Sequence, residues 1–233
     1  VVDVWEHDAS DGGYDSIVHV AGDVYAIAYR DGTAKVTVFT VNVDDANGDI
    51  TNANIDTQLL TYSGYECNMI HVNNNIYAVA YREASTYDGF IETISIDSSG
   101  VISDSVNETI EFDIADGYYP KMTMVDYNTV AIVYQGTGTD GYLKTYNISS
   151  TGDITNTNAS WWEFDNVNGG TPTIIHIDGS MYAIAYRDSS GDGQIKTLTI
   201  ADTGIITKSW IDSLEFDTAD ALYPSLFNVT SNV

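Results

Sequence analysis

Apolar residues come along this chain in short runs and never at helical spacing. The most regular run is Tyr25-Ala26-Ile27-Ala28-Tyr29-Arg30, which returns as Tyr77-Ala78-Val79-Ala80-Tyr81-Arg82, Val130-Ala131-Ile132-Val133-Tyr134-Gln135 and Tyr182-Ala183-Ile184-Ala185-Tyr186-Arg187. The starts are 52, 53 and 52 residues apart. In an extended strand the large residues share one face and the alanines the other. Neither face is polar near its middle, so each run predicts a strand buried on both sides. Its large face should meet the small face of a neighbouring sheet.

Three further strands fill each period. Ahead of the hexapeptide stand Ile17–Val20, Met69–Val72, Met122–Val125 and Ile174–Ile177. They are opened by a repeat position that holds Asp15, Cys67, Pro120 and Pro172 in turn, and Pro224 near the end. Proline is tolerated there because its missing N–H lies outside the ladder. Behind the hexapeptide, a loop leads to Phe90–Ile96, Tyr142–Ile148 and Gln194–Ile200. A turn at Gly48, Gly100, Gly152 or Gly204 then leads to a fourth strand, ending in Glu111-Phe112-Asp113, Glu163-Phe164-Asp165 and Glu215-Phe216-Asp217. The opening Trp5-Glu6-His7-Asp8 is related to that element.

Four short strands in a period of about 50 residues predict an all-β chain, a β-propeller of four-stranded antiparallel blades. The units run over 9–60, 61–113, 114–165 and 166–217, with terminal strands in 1–8 and 218–233, as one propeller domain or a segment of a longer one. The terminal strands supply a first and a fourth blade strand without the two between them. Blade edges left open in this way invite self-association. The Pro-led strand, the Asp178-Gly179 turn, the hexapeptide and the following Gly-Gln-Ile-Lys-Thr strand resemble propeller repeats common in secreted and cell-surface proteins of archaea and bacteria. They are similar in outline to the NHL and YVTN types. The resemblance implies a fold and an extracellular or cell-surface location, and it says little about activity.

Charge narrows the partners. Thirty-four acidic residues against 8 basic ones give a net charge of −26, which would repel nucleic acid and anionic membrane surfaces. No apolar run approaches the roughly 18 residues of a membrane span, so direct membrane insertion is not expected. The first residue is Val1, which points to a processed or excised piece, and the single Cys67 makes no intrachain disulfide.

The candidate chemistry follows the repeat. His19, His71 and His176 occupy equivalent positions and read as structural histidines, each buried and bonding a neighbouring blade. Arg30, Arg82 and Arg187 close three of the hexapeptides, and Gln135 breaks the series. A guanidinium pairs bidentately with carboxylates, so the expected partners lie in the repeated acidic element of Glu6, Glu111, Glu163 and Glu215. An anion or carboxylate-sugar site is the alternative. Tyr87, Tyr118 and Tyr142 lie in or beside loops, where aromatics could stack on sugar rings. Asp44, Asp45, Asn47 and Asp49 surround Gly48 with the dense oxygen spacing of a Ca2+ loop, otherwise no cofactor is required. The polar residues that break the repeat, His7, Glu66, Cys67 and Glu83, have no catalytic spacing. The expected function is therefore a non-catalytic extracellular module, structural, adhesive or protein-binding, whose partners are other protein domains or surface glycans. A lectin-like carbohydrate-binding propeller is the alternative, and a glycan-processing enzyme the more distant one.

Overall fold

The computed structural model describes residues 3–9, 12–51, 53–155 and 159–228. Fifteen strands follow one another: β1 (Gly13–Ala21), β2 (Val24–Arg30), β3 (Lys35–Asn42), β4 (Asp56–Asn73), β5 (Ile76–Glu83), β6 (Gly89–Ser95), β7 (Glu108–Asp113), β8 (Tyr118–Asp126), β9 (Thr129–Gln135), β10 (Gly141–Asn147), β11 (Ser160–Asp165), β12 (Gly170–Asp178), β13 (Met181–Arg187), β14 (Gly193–Thr199) and β15 (Asp212–Asp217). One short 3-10 turn, Thr137–Thr139, is the only helical element among the described residues. Within each of the three sheets, strands adjacent in sequence pair antiparallel, and β7 to β8 and β11 to β12 are the steps between sheets.

Four up-and-down units of four strands result. The first two form one seven-stranded sheet, because β4 closes unit 1 with its first half and opens unit 2 with its second. β8–β11 and β12–β15 are units 3 and 4. The first strands of successive units neighbour one another, so the units fan around a common axis. Each first strand carries a register shift near its start, the mark of a β-bulge. There Tyr14, Glu66, Tyr119 and Thr171 take φ between 45° and 63°.

The core lies between the units. Ala26 and Ala28 pack with Tyr77, Val79 and Tyr81 of unit 2. Ala78 and Ala80 receive Val130, Ile132 and Tyr134, and Ala131 and Val133 receive Tyr182, Ile184 and Tyr186. The alternation of the hexapeptide thus sets the unit-to-unit interface, small face against large. Two polar contacts repeat with it. Thr40, Thr93 and Thr145 donate to the carbonyls of Gly100, Gly152 and Gly204 in the next unit, at 2.5, 2.6 and 2.7 Å. Gly64, Gly117 and Gly169 donate their N–H to Ala34, Tyr87 and Thr139 of the unit before, each at 2.9 Å.

The expected terminal strands differ. Residues 3–9 and 218–228 are in no ladder, while 1–2 and 229–233 lie outside the described residues. The segments still pack: Trp5 meets Phe39 edge-on, and Ala221 N–H reaches the Gly191 carbonyl at 2.9 Å. No helix among the described residues is long and apolar enough to cross a membrane.

Candidate functional site

The arginine position orders one end of the axis. Arg82 is buried, its Nε 3.3 Å from Glu66 Oε2, with its guanidinium carbon 4.9 Å from the Tyr65 ring, 5.1 Å from Tyr87 and 4.4 Å from Tyr118. Arg30 places its guanidinium carbon 4.9 Å from the same Tyr65 ring. Arg187 binds Asp220 Oδ1 through Nε at 3.2 Å and a terminal nitrogen at 3.1 Å. For Arg82 and Arg187 the expected pairing with the Glu-Phe-Asp element is corrected. That element's aspartates accept hydroxyls of the next unit instead, Asp113 from Tyr134 at 2.7 Å and Asp165 from Tyr186 at 2.8 Å. Glu111 and Glu163 lie near Asp88 and Asp140, and desolvation first, then those charges, holds their carboxyls above the usual range. Glu215 accepts from Gln194 Nε2 at 3.3 Å.

Between units 1 and 2 the carboxylate has changed strands. Thr61 stands where the aspartate would, and Glu92 of β6 accepts the Tyr81 hydroxyl at 2.5 Å and the Thr61 N–H. Burial raises the Glu92 carboxyl. Lys144 and Lys196 occupy the equivalent position in units 3 and 4, each about 5.2 Å from the hexapeptide tyrosine ring.

Other candidates fall into ordinary roles. His19, His71 and His176 each place Nε2 2.8 Å from a carbonyl of their own hairpin turn, Gly22, Asn74 and Gly179, and lie against Tyr25, Tyr77 and Tyr182. They are surface groups bracing their own unit, not buried links to a neighbour. Asp44 Oδ1 accepts the Ala46 and Asn47 N–H groups, and Asn47 Oδ1 accepts that of Asp49, so these two oxygens already serve the turn, while Asp45 donates its N–H to Asp23. Glu83 caps Ser85 and Thr86, and His7 sits edge-on to Tyr29. Cys67 is buried, and desolvation pushes its thiol up to about 12, which leaves it a poor nucleophile. Tyr142 stacks on Tyr134 at 5.4 Å, away from Tyr87 and Tyr118, which stack on each other at 5.9 Å.

Where the repeat fails, a cleft opens. Arg30 and Arg82 each meet a tyrosine two residues before the next unit's strand-opening position, Tyr65 and Tyr118. At the third junction Gln135 replaces the arginine and Gly170 replaces the tyrosine. Both large groups are missing, and a cavity of about 670 Å³ stands there, lined by Asp116, Tyr118, Gln135, Asn168, Arg187 and Tyr223 among others. It shares Tyr119, Thr171 and Tyr223 with an axial cavity of about 540 Å³, into which Glu66, Cys67 and Lys121 also face. The break at Gln135 is visible in the sequence. Gly170, Asp116 and Asn168 were missed; aligning the position two before each strand opening exposes Gly170, whereas Asp116 and Asn168 look like ordinary turn residues.

No protein-family model matches the chain, and no match to a curated protein is found. Solved structures do match. A hypothetical selenium-binding protein from Sulfolobus tokodaii superimposes with a TM-score of 0.58 at 8% identity, over 87% of this chain and 55% of its own. AofleA from Arthrobotrys oligospora gives 0.53 at 10% identity, over 89% and 58%. The Hadza microbial sialidase Hz136 gives 0.52 at 10% identity, over 90% and 46%. The fold is propeller-like. At these identities the likeness is one of fold, and the chain spans about half the length of each of the three. With no family model matching, the NHL and YVTN likeness stays at that coarser level. The expectation of a non-catalytic structural or adhesive module is corrected here as well, because a glycan-processing enzyme, the sialidase, is among the chains that share this propeller-like fold.

Proposed function

We propose that this chain is a run of consecutive blades of a β-propeller that binds a glycan in the cleft between units 3 and 4. The observation that carries the reading is the paired loss of Arg and Tyr at Gln135 and Gly170, which makes the one junction of its kind open and asymmetric among the described residues. Its lining suits a sugar: Tyr118 and Tyr223 offer ring faces, Gln135 and Asn168 offer amides, and Asp116 and Arg187 offer charge-assisted hydrogen bonds. Two-carboxylate hydrolysis requires carboxyl groups on both sides of the scissile bond. Asp116 is the only carboxylate lining this cleft among the described residues, which favours binding over cleavage there.

The test restores the repeat. Gln135→Arg with Gly170→Tyr should fill the cleft as Arg82 and Tyr118 fill the preceding junction. On an array of neutral and carboxylate-bearing oligosaccharides the wild-type chain should bind a defined subset, and the double variant should lose that binding by roughly tenfold or more at unchanged melting temperature. Equal binding by both proteins would place the ligand elsewhere.

A further inference from the structure

Lys121 breaks the repeat on the axial side of the same junction. One residue after the strand opening, Ser16 Oγ accepts the Met69 N–H at 2.9 Å and Asn68 Oδ1 accepts that of Met122 at 2.7 Å. Units 1 and 2 each hold the next unit's first strand through that side-chain acceptor. The third copy of the position is Lys121, and its counterpart on unit 4 is Ile174, which pairs with the third residue of its hexapeptide as Met69 and Met122 do. An ammonium has no acceptor to offer. Lys121 is therefore not tied to unit 4 as Ser16 and Asn68 are tied to their neighbours, and its ammonium makes no hydrogen bond or ion pair with the described residues.

That charge does not stand in open water. Lys121 is half-buried in the wall of the axial cavity, and desolvation lowers its amine below the usual 10.5, with Cys67 and Glu66 acting in the opposite sense. A second unmet donor lies in the same wall. Thr171 Oγ1 is buried without a hydrogen-bond partner, on a β-branched residue held at φ of 45°. The backbone conformation and the unpaired hydroxyl are each unfavourable, and strain of this kind gathers at ligand sites. Thr171 also belongs, with Tyr119 and Tyr223, to the wall that the axial cavity shares with the glycan cleft. Neither carboxylate of the axial cavity supplies the missing acceptor. Glu66 Oε2 already takes Arg82 Nε at 3.3 Å and the Tyr119 N–H at 2.8 Å, and Asp15 is exposed on unit 1.

We infer that the axial cavity is the carboxylate subsite of the glycan cleft: an acidic sugar seated between units 3 and 4 turns its carboxylate inward onto Lys121, with the Thr171 hydroxyl as the second donor. The inference rests on the glycan reading of the cleft and narrows it to sugars that carry a carboxylate, whether of a uronic or an ulosonic acid. One anion satisfies both unmet donors, and a partly desolvated ammonium holds it more strongly than an ammonium in water would. A neutral sugar leaves the charge uncompensated.

The probes are galacturonate oligomers and sialyl oligosaccharides, each beside the counterpart whose carboxyl has been reduced to the alcohol, titrated into the full chain. One of the two acids should bind roughly tenfold or more tighter than its alcohol, and the arm that does so identifies the source of the carboxylate. Lys121→Met keeps much of the side-chain volume and removes the charge. It should erase the preference for the acid, leave the affinity for the alcohol unchanged and hold or raise the melting temperature, because a poorly compensated cation leaves a partly buried site. Lys121→Arg should keep part of the preference. Equal affinity for acid and alcohol in both arms would overturn the inference and leave the glycan cleft standing. So would a preference that survives Lys121→Met, as it would if Arg187 alone read the charge. Binding of neither acid nor alcohol would overturn both readings.

Discussion

Single residues show why the period is so strict. Gly89 and Gly117, and likewise Gly141 and Gly169, bring two backbones into contact beside Phe112 and Phe164: a Cβ on Gly117 or Gly169 would overlap the partner glycine's backbone, and one on Gly89 or Gly141 would overlap the phenylalanine ring. Gly169→Ala should therefore cost about 1–3 kcal/mol, read by chemical denaturation, since an overpacked backbone contact relaxes only by moving a strand. Acid sensitivity belongs to this scale too. Asp31 accepts from the Thr33 and Lys35 N–H groups and from two threonine hydroxyls, and these bonds hold its carboxyl below the usual 3.8 despite some burial. Glu83 and Asp97 are lowered by similar loop hydrogen bonds. A carboxyl whose folded pKa is depressed contributes its full stability above the unfolded value and loses it as pH falls through the folded one. The midpoint of denaturant unfolding should hold from pH 7 to about 5 and fall below about 4. Asp31→Asn should shrink that acid drop.

Elements differ by what covers them, not by what they contain. β7 and β15 have nearly the same sequence pattern, Glu-Thr-Ile-Glu-Phe-Asp and Asp-Ser-Leu-Glu-Phe-Asp, but the first is roofed by unit 3 and the second has no roof among the described residues. Phe112→Ala should cost about 3–5 kcal/mol, the range for a buried aromatic, while Phe216→Ala should stay within about 0.5 kcal/mol as an exposed change does. Equal losses in a denaturation series would show that β15 is covered in solution. The buried hexapeptide strands and their small-on-large packing were legible from alternation alone. The partners of Arg82 and Arg187 were not, because Glu66 and Asp220 lie in a bulge and a loop that no periodicity marks.

At the scale of the whole molecule, charge dominates. A net charge of −26 repels itself, and mobile ions screen that repulsion over about 10 Å at 0.1 M salt. The melting temperature should rise as NaCl goes from about 10 to 150 mM. A flat response would mean that the acids are already compensated by bound cations. Local order fixed the strands, their turns and the repeat, because hydrophobic alternation and Gly, Pro and Asp placement act over a few residues. Only the tertiary structure decided where carboxylates meet tyrosines and which junction opens, the one at Gln135 and Gly170. Those outcomes depend on residues about 20 to 35 positions apart in the chain meeting between neighbouring units, and a side chain two residues from a strand opening has no sequence neighbour that reveals what it faces.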